Sequence, residues 1–137
     1  MEKADLIRRK AEMQTQLAEK RQQIMALERK IDRLQKAKGQ LTIVINDSQR
    51  HKKEMTSIQI DPSFWQGNTK NDYQNHSIHE VGSSAGKYVT DLHQVEERIN
   101  EEIQRLSSQL DQCESDSYLL QSTITNLDDT MKSMKEG

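Results

Sequence analysis

Apolar residues recur at alternating steps of three and four positions along two long stretches of the chain. This is the heptad pattern of α-helices that pack against each other along a narrow seam. Lys20 and Lys38 interrupt the first series, and such polar residues weaken a seam locally while fixing its register. The first series is Leu6, Met13, Leu17, Lys20, Ile24, Leu27, Ile31, Leu34, Lys38, Leu41 and Ile45, and the second is Ile99, Ile103, Leu106, Leu110, Cys113, Ser117, Leu120, Ile124, Leu127, Met131 and Met134.

The second series extends upstream with less regular spacing. Its preceding members are predicted to be Tyr88, Leu92, Val95 and Ile99. Two four-residue steps then meet at Ile99, and such a stutter is expected to unwind a coiled coil locally. Residues 82–86, Gly-Ser-Ser-Ala-Gly, form the weakest helical stretch. A kink or hinge is one interpretation of this segment. We predict instead a continuous helix of low local stability, because intrinsic helix propensity predicts helix formation only weakly.

A break separates the two stretches. Pro62, the only proline, is followed by Phe64-Trp65-Gln66-Gly67, which contains the only Phe and Trp of the chain. The residue before a proline avoids the α region, so helix 1 is expected over about 3–60 and a turn over 61–68. Helix 2 is expected over about 69–135, capped by Asn68 or by Thr69, which makes a capping-box-like start with Asp72. The sequence thus predicts one all-α domain over residues 1–137: a long antiparallel two-helix coiled-coil hairpin, part of a multi-helix bundle.

Some apolar residues fall outside the seam. Leu41, Ile43, Val44 and Ile45 form a cluster too broad for one seam, and we interpret it as a partner surface. A short strand is the alternative for these residues. Surplus apolar surface suits a second interface that builds a four-helix assembly with a partner or with a second copy. The off-seam residues are Ile7, Met25, Ile43, Val44, Ile58 and Leu119.

Composition and charge exclude several classes of protein. Only 32% of the residues are hydrophobic and the mean hydropathy is -0.98, which suits long helices better than a globular enzyme core. Residues 1–60 carry 14 Lys/Arg and 8 Asp/Glu, whereas residues 61–137 carry 6 and 14. Antiparallel pairing neutralises the two halves, so nucleic-acid binding is not expected. No apolar run predicts membrane insertion or a signal peptide; we expect a cytoplasmic protein, with any export independent of a signal peptide.

The chain offers little catalytic chemistry. His76, His79 and Glu80 share a helix face, with His93 further along, but a zinc site needs three or four ligands and surface histidines explain the spacing. Cys113 belongs to the seam series and has no basic neighbour, which favours packing over nucleophilic reactivity. We therefore predict no enzyme activity, no metal and no cofactor.

The aromatic residues at the predicted apex invite two interpretations. Trp65 either closes the end of the seam, with Phe64 and Tyr73 packed around it, or is exposed as an anchor for another protein. Trp and Tyr dominate binding hot spots, and Gly67 permits a turn that a side chain would obstruct. The two roles are compatible.

This arrangement resembles the Trp-x-Gly (ESAT-like) helical hairpins of type VII secretion. The residues that carry the resemblance are Trp65 and Gly67 at the turn and Tyr73 shortly after it, and the long heptad-rich arms are most similar to the YwqH-like subgroup. Those Gram-positive bacterial proteins accompany toxins with LXG domains. The resemblance implies a chaperone-like targeting subunit that binds the helical N-terminal domain of such a toxin, with another small helical protein as a further candidate partner.

The chain departs from the family in its export signal. A C-terminal Tyr-x-x-x-Asp/Glu motif is typical, but Tyr118 is followed by Ser122 and Tyr88 by Leu92 at the corresponding positions. The resemblance therefore implies a signal completed by a partner. Two alternatives remain: a prefoldin-like chaperone subunit, which the possible strand at 41–45 would suit, and a homo-oligomeric coiled-coil scaffold.

Overall fold

The computed structural model describes residues 2–56 and 79–136, and helices account for nearly all of them. Helix α1 spans Lys3–Thr56 and helix α2 spans His79–Glu136, with 54 and 58 residues. No strand occurs in these two ranges. The predicted all-α helical hairpin is thereby confirmed. The predicted turn at 61–68 and the predicted cap at Thr69 lie outside the described residues.

Both helices are continuous through the segments that the sequence left ambiguous. Residues 41–45 belong to α1, so the alternative of a short strand there is wrong. Residues 82–86 belong to α2, as the sequence predicted. Asp5 in the first turn of α1 and Lys53 in its last turn complement the helix dipole. In residues 82–86, packing along the heptad seam therefore outweighs the weak intrinsic helix propensity of the glycines and serines.

The structure divides into two compact units, the first made of Met1–Arg33 and Glu102–Gly137. In this unit the helices are antiparallel, because Lys10 contacts Asp128 at 2.5 Å whereas the later Lys20 contacts the earlier Asp116 at 3.2 Å. Its buried residues all come from the predicted seam: Leu6, Leu17, Leu106 and Ile124.

The second unit comprises Leu34–Glu101. Its helices are also antiparallel: the Thr42 hydroxyl lies 3.4 Å from a carboxylate oxygen of Glu96, and Gln49 Nε2 lies 3.3 Å from His93 Nε2. Only Ile45 and Val89 are buried among its described residues. Each unit is therefore held by a thin line of seam residues.

The seam of α1 follows the predicted heptads without interruption. From Leu6 to Lys52, the buried and half-buried positions alternate steps of four and three residues. Lys20 and Lys38 occupy seam positions and are half-buried, as the pattern predicted. The expected off-seam residues in the described ranges are exposed, which confirms their assignment: Ile7, Met25, Ile43, Val44 and Leu119. Ile58 lies outside the described residues.

Upstream of Ile99, the predicted seam of α2 is confirmed at Leu92, which is half-buried, and wrong at Tyr88 and Val95. Tyr88 is 53% exposed and Val95 is 42% exposed, whereas Val89 is buried and Glu96 is half-buried. With Val89 and Glu96 at the seam, α2 keeps the alternation of four- and three-residue steps from Ala85 to Met131, and the stutter at Ile99 disappears. The regular repeat of α1 explains this, because a helix packed against it stays in contact only if it keeps the same repeat. Met134, also placed in the seam by the sequence, is 42% exposed near the end of α2.

Candidate functional site

The predicted apex residues cannot be located in the structure. Phe64, Trp65, Gly67 and Tyr73 all fall between Thr56 and His79, outside the described residues. Their roles as plug or anchor stay predictions.

The predicted partner cluster at 41–45 is divided between two sides of α1. Ile45 is 3% exposed and Leu41 is half-buried, so both contribute to the seam. Ile43 and Val44 are 63% and 42% exposed. Successive helical residues point about 100° apart, which is why the four apolar residues among positions 41–45 cannot share one face. Only Ile43 and Val44 remain accessible to another protein.

Heptad letters locate these side chains around the seam. When the seam residues are labelled a and d, the positions beside them are e and g. In the second unit, Gln49 contacts His93, and both residues are at e positions. In the first unit, Arg21 contacts Gln121 at 3.3 Å, and these are also both e positions. The e positions of the two helices therefore border one side of the seam, and the g positions border the other.

In the second unit the two borders differ in chemistry. The e border is polar and carries the contacts of Thr42, Gln49, His93 and Glu96 described above. The g border is largely apolar: Val44 on α1 and Val81, Tyr88 and Val95 on α2, called the apolar flank below, are 42–53% exposed. His51 on α1 is an exposed polar member of the same border. The apolar spacing of the sequence does not predict this surface, because it places Tyr88 and Val95 in the seam. The signal was present, since Val81, Tyr88 and Val95 repeat at intervals of seven residues.

In the first unit the g border is polar. At its g positions lie Gln23 and Lys30 on α1 and Glu102, Gln109 and Asp116 on α2. All of these except Glu102 line a groove that Leu27 and Cys113 also line. The thiol of Cys113 lies 3.7 Å from Oε1 of Gln23. The first unit therefore offers no continuous apolar strip at these positions.

Carboxylates beside this groove are held by local partners. The Gln112 amide donates to Asp116 at 3.0 Å, and this bond, with a further one from Lys20, lowers the pKa of the Asp116 carboxyl. Arg105 donates to Glu102 through Nε at 2.9 Å, and this bond lowers the pKa of Glu102. Both carboxylates are thus stabilised in the charged form, which suits ion pairing better than proton transfer.

Within 2–56 and 79–136, no group of three or more His, Cys, Asp or Glu side chains is arranged to hold a metal ion. His79 and Glu80 are exposed at the start of α2, and His76 lies outside these ranges. Neither described helix is long and apolar enough to cross a membrane.

Comparison with known proteins gives one match. A family model described as YwqH-like matches residues 8–129, which is most of the chain and includes parts of both helices and both units. No curated protein and no solved structure matches the chain.

Proposed function

The chain belongs to the YwqH-like family, and on that premise we propose that it is a non-enzymatic, chaperone-like partner subunit for a secreted toxin. Its partner would be the helical N-terminal domain of an LXG-type toxin, as the resemblance to the Trp-x-Gly hairpins of type VII secretion implies. The hairpin would contribute two helices to a multi-helix bundle. That bundle would keep the toxin's helices folded together and present them to the secretion machinery.

The observation that carries this proposal is the exposed apolar surface of a hairpin in this family. Tyr88 and Val44 are exposed although their own hairpin already has a complete seam. Helices that are apolar beyond the a and d positions are typical of bundles with more than two members. The two described helices therefore have a surface suited to further helices.

Co-expression tests the proposal directly. The full chain would be produced with the helical N-terminal domain of the toxin encoded by the neighbouring gene, captured by a tag, and analysed by size exclusion with light scattering. We expect a stable hetero-complex, which forms neither with an unrelated two-helix domain of similar length nor with the toxin's C-terminal domain. If Trp65 is an anchor, Trp65→Ala weakens the complex.

A homo-oligomeric scaffold is the alternative that this experiment would reveal. If the chain forms a defined self-assembly and captures no toxin domain, the partner-subunit proposal is wrong. The prefoldin-like alternative has lost its supporting feature, because residues 41–45 are helical.

A further inference from the structure

The seam of the second unit leaves one of its borders unused. Its e border is covered by polar contacts between the helices, such as that of Gln49 with His93. Its g border carries the apolar flank instead, where even Tyr88 remains 53% exposed. The hairpin's own packing therefore buries Ile45 and Val89 but leaves a parallel line of apolar side chains open to solvent.

The apolar flank has the geometry of a second seam. On α2 the successive g positions are Val81, Tyr88 and Val95. They share the seven-residue repeat of the seam, so they form a line of side chains parallel to it. The contacts of Thr42 with Glu96 and of Gln49 with His93 place Val44 at the level of Val95 on the neighbouring helix. A third helix with apolar residues at heptad spacing would contact both helices here and extend the existing interface.

Charged residues beside the apolar flank indicate the chemistry of that helix. Position c follows g by three residues, one helical turn away. In the second unit the c positions include Asp47 and Glu54 on α1 and Asp91 on α2, all exposed; Arg98, next to Val95, is the one basic residue among those described. Asp47 is bonded to Arg50 at 3.3 Å, Glu54 lies 3.5 Å from Nδ1 of His51, and Asp91 lies between Tyr88 and Val95. These c positions therefore carry more acidic than basic residues, and Asp91 is the acidic residue closest to the α2 part of the flank.

This excess of acidic residues favours one occupant over another. A helix with Lys or Arg beside its apolar residues would gain from Asp91, whereas a second copy of this chain packed through the same surface would bring the same acidic residues against its own. Like charges across an interface disfavour a pairing, and opposite charges speed association.

We propose that the apolar flank, Val44, Val81, Tyr88 and Val95, binds an amphipathic helix of the partner protein that carries basic residues along its edges. This inference rests on the proposed function, and it specifies which surface of the hairpin the toxin's helical domain occupies. The polar e border of the same unit stays outside that contact.

Two adjacent residues allow a matched test. Val44 belongs to the flank, whereas Ile43, at position f, is 63% exposed on the side away from the seam. Val44→Lys and Ile43→Lys introduce the same charge at neighbouring exposed sites, and circular dichroism would show that both variants keep their helices. We expect Val44→Lys to weaken binding of the purified toxin N-terminal domain about tenfold or more and Ile43→Lys less than about twofold, measured by calorimetry on the full chain.

Asp91 tests the charge of the partner. Asp91→Asn should weaken binding several-fold at low salt and reduce the salt dependence of the dissociation constant, because exposed charge pairs are screened. If the variant binds more tightly, the partner's edge is acidic and that part of the proposal is wrong.

The remaining outcomes separate the inference from the proposed function. If the toxin domain binds wild type and both lysine variants equally, the proposed function stands and the flank is not the binding site. If it does not bind wild type, the proposed function fails and this inference fails with it. A chain that self-associates and becomes monomeric only with Val44→Lys would show that the occupant is a second copy.

Discussion

Two valines of α2 provide a sharp test of the heptad register. Val89 is 8% exposed and Val95 is 42% exposed. In the register inferred from apolar spacing alone, Val95 lies in the seam and Val89 does not. Replacing each in turn with Ala is the same chemical change at two sites of the same helix, so the ranking of their effects identifies the register.

The expected magnitudes follow from burial. Val→Ala removes the equivalent of two methylene groups, worth about 0.8 kcal/mol each when fully buried. Ala also favours the helix over Val by about 0.5 kcal/mol. The burial energy is multiplied by the buried fraction of each side chain, and the gain in helix propensity is subtracted. Val89→Ala should then lower the free energy of unfolding by about 1 kcal/mol and Val95→Ala by about 0.4 kcal/mol. A large cavity term is not expected at a seam this close to solvent.

Urea unfolding followed by circular dichroism at fixed protein concentration measures both values. Comparison at a common m-value isolates the change in stability, and if the units unfold separately, the change should appear in the transition of the second unit. Equal helicity of both variants without denaturant is the required control. If Val95→Ala is as destabilising as Val89→Ala, or more so, the register that places Val89 in the seam is wrong.

Two further predictions concern acid stability and helix propensity. The pKa of Asp116 is lowered in the folded chain, first by the hydrogen bond from Gln112, so its stabilising contribution is complete above its ordinary value of 3.8 and is lost as the pH falls through the lowered pKa. Asp116→Asn should therefore reduce the difference in urea midpoint between neutral and strongly acidic pH, and an unchanged difference would contradict this. Gly39→Ala, where a Cβ meets nothing within 4 Å, should raise the unfolding free energy by about 0.5–1 kcal/mol. Gly86→Ala should gain less because its Cβ would lie 3.3 Å from Nζ of Lys52, and a larger gain at Gly86 than at Gly39 would refute this ranking.

The seam of α1 could be predicted from the sequence because its repeat is unambiguous. From Leu6 to Ile45 each seam position is an apolar residue or an isolated polar one in an otherwise regular series. The upstream part of α2 was ambiguous, since choosing Tyr88 and Val95 gives a more apolar seam than choosing Val89 and Glu96. The hydrophobic pattern therefore favours Tyr88 and Val95 as seam residues, but in the structure the seam contains Val89 and Glu96. The register of a helix is set jointly with its partner, and a pattern measured on one helix does not contain that constraint.

The candidate site was predictable only in part. Exposure of Ile43 and Val44 followed from their off-seam positions, but Leu41 and Ile45 were grouped with them because they are close in sequence. The error about Tyr88 and Val95 then concealed the apolar flank, since residues assigned to the seam are not considered as a surface. One wrong register thus changed both the predicted core and the predicted interface.

The way the buried residues are distributed has a consequence for how stability is shared. Within the first unit the buried residues Leu6, Leu17, Leu106 and Ile124 follow the seam rather than surround a centre, and within the second unit Ile45 and Val89 are likewise seam residues. Each layer of such a seam touches only its neighbours, so its energetics resemble a zipper in which opening begins locally and spreads stepwise. Amide hydrogens should exchange at rates that vary gradually along each helix. A helix bound at one stretch would slow exchange there first, making exchange rates a map of where a partner has docked.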